Sequence, residues 1–310
     1  MENIHVPLTV PKGKEKEYLK NIKIATRGTG RMMMFAGDQK VEHLNDDFVG
    51  RGIPSEVADP QHYFKIASVA QIGVFATQMG LIAQYGRDYP DIPYLVKVNS
   101  KTNLIKKEYK DPVSTSWMEL ADILSFKQQS GLQIIGVGFT IYLGSWYEPQ
   151  MFSEAAKLIH SAHQEGLLAV VWMYPRGQAV KNEADVHLLA GAAGVGVCLG
   201  ADFVKINYPY AGNNLRMAKA FKEVVNAAGR TGIICVGGSK KNPKKFLQSI
   251  HDQVNISGTR GNAVGRNIYQ HTVEEGVRMA NAISAVTLYG YSASDAYEIF
   301  LGKQKLIVKK

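Results

Sequence analysis

The chain has 310 residues, 45% of them hydrophobic and 20% charged, enough for one large core or two modest domains. No apolar run reaches the roughly 18 residues of a membrane span, and residues 1–7 carry neither the basic nor the apolar region of a secretory signal, so a cytoplasmic protein without a membrane partner is expected. The net charge of +9, from 36 Lys and Arg against 27 Asp and Glu, fits anionic substrates or a solvated surface. The basic clusters at 12–20, 240–245 and 303–310 are short, dispersed and poor in aromatics, which argues against nucleic acid as a partner.

In chain order, an apolar strand at 32–38, with Met32-Met33-Met34 as core filling, is followed by a helix at 60–70 behind Asp59 and Pro60. Strands at 73–79 and 94–99 come next, and then a helix at 120–129 introduced by a capping box at Ser116 and Glu119. Strand 135–141, helix 150–165, strand 169–174 and helix 183–199 follow. After strand 203–207 comes a helix at 214–228 that ends near Gly229, then strand 233–237, helix 243–251, strand 263–265 and helix 273–286. The strands are almost uniformly apolar, as expected where both faces of a parallel sheet are buried. Cys198 and Cys235 sit in apolar runs and read as reduced core residues, with no disulfide or metal role. No linker-like composition interrupts residues 30–290.

Eight strands with intervening helices is the count of a single-domain (β/α)8 barrel. A doubly wound sheet would place a glycine-rich phosphate loop after its first strand. Here the chain continues Gly37-Asp38-Gln39-Lys40-Val41-Glu42-His43, without G-x-G-x-x-G, so the barrel is expected.

In such a barrel the C-terminal strand ends build the site. Read in order they give Asp38, Glu42 and His43; Lys97, Asn99, Ser100 and Lys101; Tyr142 and Ser145; Trp172, Tyr174 and Arg176; Lys205 and Asn207; Gly237, Gly238 and Ser239; Gly265 and Arg266. Lys205 stands out, a lysine inside a short apolar strand. Enclosed there, it is a candidate nucleophile for Schiff-base chemistry with a carbonyl. Trp172 and Tyr174 share one strand face, and a phenol beside an amine relays protons to and from a carbinolamine. Asp38 could orient the amine or a substrate hydroxyl, or merely cap the next turn. Gly237-Gly238 and Gly265-Arg266 end the last two strands, where barrels often bind phosphate through close backbone and a guanidinium. No constellation suited to a metal is evident.

The segments Asp38–His43, 140–145, 171–177, 200–205 and 263–268, in that order, resemble the archaeal-type class I fructose-bisphosphate aldolases, over about residues 30–285. The resemblance implies a metal- and cofactor-independent barrel that reversibly cleaves fructose 1,6-bisphosphate to dihydroxyacetone phosphate and glyceraldehyde 3-phosphate. It implies Lys205 as Schiff-base lysine and Tyr174 as proton-transfer group. Asp38, His43, Asp47, Trp172 and Arg176 would contact substrate, and Gly237, Gly238, Gly265 and Arg266 the phosphate. It also implies homo-oligomers, often decamers, with 1–27 and 291–310 as peripheral tails or oligomer contacts. The chain departs from the family pattern at Gln39-Lys40, where His-Gly is usual, at Asn207, where a second lysine is usual, and at Val236, where Ser or Thr is usual. Sister activities would share Lys205: aldol-type transfer enzymes or a thiolase acting on another phosphorylated sugar. A rival of another class, a non-catalytic basic binding protein, would show salt-dependent nucleic-acid binding and no response to Lys205 substitution.

Overall fold

The structure, a computed structural model, describes residues 5–104, 111–209 and 215–308. Eight strands, β1 (Met32–Ala36), β2 (Val74–Thr77), β3 (Tyr94–Lys97), β4 (Ile134–Leu143), β5 (Leu168–Pro175), β6 (Phe203–Ile206), β7 (Gly232–Val236) and β8 (Gly261–Val264), close into a barrel in sequence order. Every neighbouring pair is parallel, and β1 closes on β8 through Met34 and Ala263.

Strand alternation divides the core in two. Met32, Met34, Leu95, Ile135, Val170, Trp172 and Phe203 belong to an inner cluster. Met33, Phe35, Val96, Val171, Val204 and Ile206 face the helices instead. All three consecutive methionines are fully buried, on alternate faces. Lys97 and Lys205 share parity with Leu95 and Phe203, so both lysines project inward.

Most of the expected helices are present: Gln61–Val69, Leu120–Ser130, Glu148–Gln164, Val186–Cys198, Pro243–Asn255 and Val273–Tyr289. The capping box is not the expected one. Glu119 is the N-cap and Asp122 reaches back to it, whereas the N–H of Ser116 donates to Glu154. The segment expected at 214–228 is two helices, Leu215–Ala220 and Lys222–Ala228, and its residue 214 lies outside the described residues. Phe221 between them keeps the N–H bond to the Met217 carbonyl, but its ψ of −10° breaks the regular run. Cys235 is buried as expected, but Cys198 is exposed, because it ends its helix at the surface.

Further helices were not foreseen, among them Glu15–Thr26, Met79–Tyr85 and Ala293–Phe300. In the first, Tyr18, Ile22 and Ala25 form a helical stripe that packs with the inner cluster. The Tyr18 hydroxyl donates to Asp202 at 2.6 Å, just before β6, so this helix covers the N-terminal end of the barrel. Ala293–Phe300 packs on Pro243–Asn255 and Val273–Tyr289. No helix among the described residues is long and apolar enough to cross a membrane.

Candidate active site

Lys205 is the third residue of β6, with its side chain 4% exposed. Its Nζ lies 3.9 Å from Asp38 Oδ2 and 4.7 Å from the centre of a Trp172 ring. Asp38 follows β1, is 1% exposed, and neither of its carboxylate oxygens accepts a hydrogen bond from the described residues. Although it sits at the N-cap of the short helix Gln39–Glu42, its side chain makes no capping bond. The geometry therefore sets the capping role aside and leaves Asp38 facing the amine, free to orient it or a substrate hydroxyl. The Asp38 carbonyl accepts from Gln78 Nε2 at 3.1 Å, which ties the end of β1 to the end of β2.

Trp172 pairs with Lys205 across the β5–β6 ladder. Its indole runs the other way, over β4, because residue 138 is glycine. A Cβ there would lie 2.4 and 2.5 Å from two carbons of the indole ring. Beyond it stands Lys97 on β3, whose Nζ is 5.3 Å from a Trp172 ring centre. One indole thus lies against two lysine ammonium groups, a cation–π arrangement. Lys97 has 0% side-chain exposure, donates to the Asn99 carbonyl, and lies 3.5 Å from Glu42 Oε1. Burial pulls its pKa down, and the Lys205 charge adds to that; Glu42 and Asp38 oppose it. Ser100 Oγ donates to the same Glu42 oxygen at 2.9 Å.

Tyr174, two residues along β5, stacks on Tyr142 of β4 at 6.4 Å. Desolvation pushes its phenol well above the ordinary tyrosine range; the Glu42 and Asp38 carboxylates push the same way, against Arg176. The hydroxyl is therefore held as a neutral acid. Arg176 lies over the Tyr174 ring at 5.4 Å, but its guanidinium is forked onto Glu183, Nε to Oε1 and Nη2 to Oε2 both at 3.1 Å.

On the far side of the barrel mouth, Asp47 joins His43 and Arg266. It pairs with His43 Nδ1 and lies 3.5 Å from Arg266 Nη1. Gly238 has φ of +69°, a left-handed turn that suits glycine. Gly237 is not placed to offer its amide, since that N–H donates to Ala263 in the β7–β8 ladder at 3.0 Å. Lys241 enters from the same loop, with its pKa lowered to about 7 by burial and by Arg266. Gly265 precedes a single turn, Arg266–Tyr269, that starts the loop after β8.

The residues singled out in the sequence thus fall into two groups at one barrel mouth. Lys205, Asp38, Trp172 and Tyr174 surround the amine, with Arg176 beside Tyr174. His43, Asp47, Arg266 and the glycine turns form the second group. Lys97, Ser100, Lys241 and Glu183 were not assigned roles, and Glu42 was read only as a possible ligand contact. The signal for Lys97 was the same as for Lys205, a lysine in an apolar strand. Among the described residues, no group of three His, Cys, Asp or Glu is arranged to hold a metal. A separate cavity of about 810 Å³ opens at the opposite end, between Tyr18, Ile22, Phe203 and Arg230, and includes none of these strand-end residues.

Residues 32–271 match the DeoC/LacD family aldolase description. A Methanocaldococcus jannaschii protein named fructose-bisphosphate aldolase/6-deoxy-5-ketofructose 1-phosphate synthase is 54% identical over 303 residues, covering 98% of this chain and 96% of that one. A Thermoproteus tenax class 1 fructose-bisphosphate aldolase is 31% identical over 87% of this chain and 94% of its own. The solved structure of a fructose-bisphosphate aldolase from Slackia heliotrinireducens superposes with a TM-score of 0.96 at 48% identity, covering 100% of this chain and 97% of that one. With the barrel closed and an inward lysine on β6, the chain belongs to the DeoC/LacD family of aldolases, in its archaeal-type class I fructose-bisphosphate aldolase branch, and is a lyase.

Proposed function

We propose that the protein cleaves fructose 1,6-bisphosphate reversibly to dihydroxyacetone phosphate and glyceraldehyde 3-phosphate through an imine on Lys205. The observation that carries this reading is the enclosed Lys205 amine, 3.9 Å from a buried carboxylate that accepts no hydrogen bond from the described residues. A phosphate at the Arg266 end places the neighbouring ketone toward β6 and the C3–C4 bond toward Tyr174 and Glu42.

The Lys205 amine, in its neutral form, adds to the C2 ketone. Tyr174 gives a proton to the carbinolamine oxygen, which leaves as water and yields the iminium. The phenolate left on Tyr174 then takes the C4 hydroxyl proton, the C3–C4 electron pair moves into the iminium, and the aldehyde departs. The enamine takes a proton at C3, and water hydrolyses the imine. Asp38 faces the amine throughout and balances its positive forms.

The name of the 54% identical relative supports a second reading. Aldol cleavage of 6-deoxy-5-ketofructose 1-phosphate between C3 and C4 gives dihydroxyacetone phosphate and an uncharged ketoaldehyde, pyruvaldehyde. Both reactions share the Lys205 enamine and differ only in the aldehyde. The Arg176–Glu183 fork leaves little free positive charge on the aldehyde side, which suits an uncharged acceptor.

Borohydride reduction in the presence of dihydroxyacetone phosphate, followed by peptide mass spectrometry, tests the common step. A stable adduct on Lys205 is expected. Its absence in folded protein would overturn the imine mechanism. Comparing glyceraldehyde 3-phosphate with pyruvaldehyde as acceptors then separates the two readings.

A further inference from the structure

Lys97 is a fully buried cation that the mechanism above does not use. Taking an ammonium out of water costs several kcal/mol, and an apolar side chain of similar length would fill the same space. The surroundings indicate what the charge does. Its Nζ reaches Asn99 Oδ1 at 3.3 Å, Ser100 Oγ at 3.4 Å and Glu42 Oε1 at 3.5 Å, with the Trp172 indole on a further side. Ser100, in contact with Lys97, hands its own proton to Glu42 at 2.9 Å. Asn99 is locked in turn, with its amide donating to the Ser114 and Thr140 carbonyls at 3.0 and 2.9 Å. The ammonium therefore sits in a rigid frame that fixes one particular carboxylate. Glu42 ends the short helix after β1, and the ends of β3 and β4 supply the frame that holds it.

We propose that Lys97 is a positioning residue for carbon–carbon cleavage, holding the Glu42 carboxylate and the Trp172 indole in place beside Tyr174 and Lys205. This rests on the aldolase reading above. After burial, the Glu42 carboxylate does most to hold the Tyr174 proton, and Lys97 sets that carboxylate on one side and the indole that also meets Lys205 on another. Tyr174, left as a phenolate when its proton went to the departing water, takes the C4 hydroxyl proton, and the C3–C4 electron pair passes to the iminium, so the step balances without a further reagent. Glu42 keeps that phenolate basic enough to take the proton, and Lys97 keeps Glu42 pointing inward. The proton Tyr174 regains is then available to the enamine. Imine formation at Lys205 does not need Glu42 in full, whereas cleavage does.

The test compares Lys97→Met, Glu42→Gln and the double variant by thermal melting, borohydride trapping with dihydroxyacetone phosphate, and kcat and KM for fructose 1,6-bisphosphate. Each single variant is expected to lose about 100-fold in kcat, with KM within about threefold and Lys205 still trapped. The double variant is expected to be no slower than the worse single, because both act on one element. Wild-type kcat in Lys97→Met overturns the proposal, and so do losses that multiply to about 10,000-fold in the double variant. If Lys97→Met fails to fold because Glu42 is left unbalanced, the double variant carries the test: kcat at the Glu42→Gln level supports it, and a much lower value overturns it. A wild-type protein that dihydroxyacetone phosphate does not trap would show the aldolase reading itself to be wrong, and this inference falls with it.

Discussion

Gly138→Ala probes how the indole is placed, at a position outside the motifs that suggested the site. The added Cβ would lie 2.4 Å from Trp172 Cζ3, 2.5 Å from Cη2 and 2.8 Å from Leu95 Cδ2. Carbon atoms in contact sit about 3.5–4.0 Å apart, so the indole has to retreat by about 1 Å. Overpacking of this kind costs about 1–3 kcal/mol, which lowers Tm by roughly 2–10 °C. The functional loss should be larger than the stability loss. Trp172 lies against both lysines, and a displacement of about 1 Å at a reacting centre can cost about 100-fold in rate. Melting curves and fructose 1,6-bisphosphate cleavage by the same preparation give the two numbers. Trp172→Phe in the Gly138→Ala background removes the outer ring and should recover most of the lost Tm, without recovering the rate. Wild-type Tm and kcat in Gly138→Ala would refute the view that the glycine aims the indole.

Lys205→Met should abolish both turnover and borohydride trapping while leaving the melt within a few degrees of wild type; appreciable cleavage by this variant would remove Lys205 as the nucleophile. Asp38→Asn should lower kcat about 100-fold and slow trapping as well, since Asp38 faces the amine directly; unchanged trapping kinetics would assign it a purely structural role. Lys241, with its pKa lowered to about 7 by burial and by Arg266, gains charge as pH falls through 7, while phosphate stays largely dianionic down to about pH 6. KM for a phosphorylated ketose should therefore rise between about pH 6.5 and 8, and Lys241→Gln should flatten that rise. Glu183→Gln releases the Arg176 fork and should lower KM for glyceraldehyde 3-phosphate relative to pyruvaldehyde; an unchanged ratio would place Arg176 away from the acceptor.

The barrel was legible because its strands are short apolar runs separated by capped helices, and periodicity reports burial directly. Strand ends were less sharp. Residues 37–38 and 98–99 continue the pattern but lie past the ends of β1 and β3, where only the Gly37 and Val98 amides still bond to the next strand and the chain turns into the site. The helix Glu15–Thr26 was hidden by composition, since its lysines read as a basic cluster although Tyr18, Ile22 and Ala25 recur at helical spacing. Within the site, inward parity identified Lys205, Trp172 and Tyr174. Pairings between loops were not legible. Nothing local to Arg176 predicts that Glu183, seven residues on, occupies its fork, and nothing local to Gly237 shows that its amide belongs to the ladder with Ala263. Those depend on how loops from different strands meet.

The charge layout of the mouth gives the site a direction. Its inner layer is balanced: Lys97 and Lys205 face Glu42 and Asp38, with Trp172 between the two amines. In the proposed mechanism, such a balanced enclosure would let the iminium form without drawing an anion into the inner layer. Beside Tyr174, the Arg176 charge is offset by Glu183. The loops after β7 and β8 differ, because they bring the Arg266 and Lys241 cations close to each other, with Asp47, which also pairs with His43, beside Arg266. Positive charge therefore collects at this end. On the proposed function, a ketose phosphate entering the mouth would be pulled by its phosphate toward β7 and β8, which would bring its ketone to β6. Reversing Arg266 to Glu should weaken binding of the phosphorylated ketone and leave competition by an unphosphorylated ketone, such as dihydroxyacetone, almost unchanged. Equal losses for both ligands would mean that Arg266 shapes the loop and does not orient the substrate.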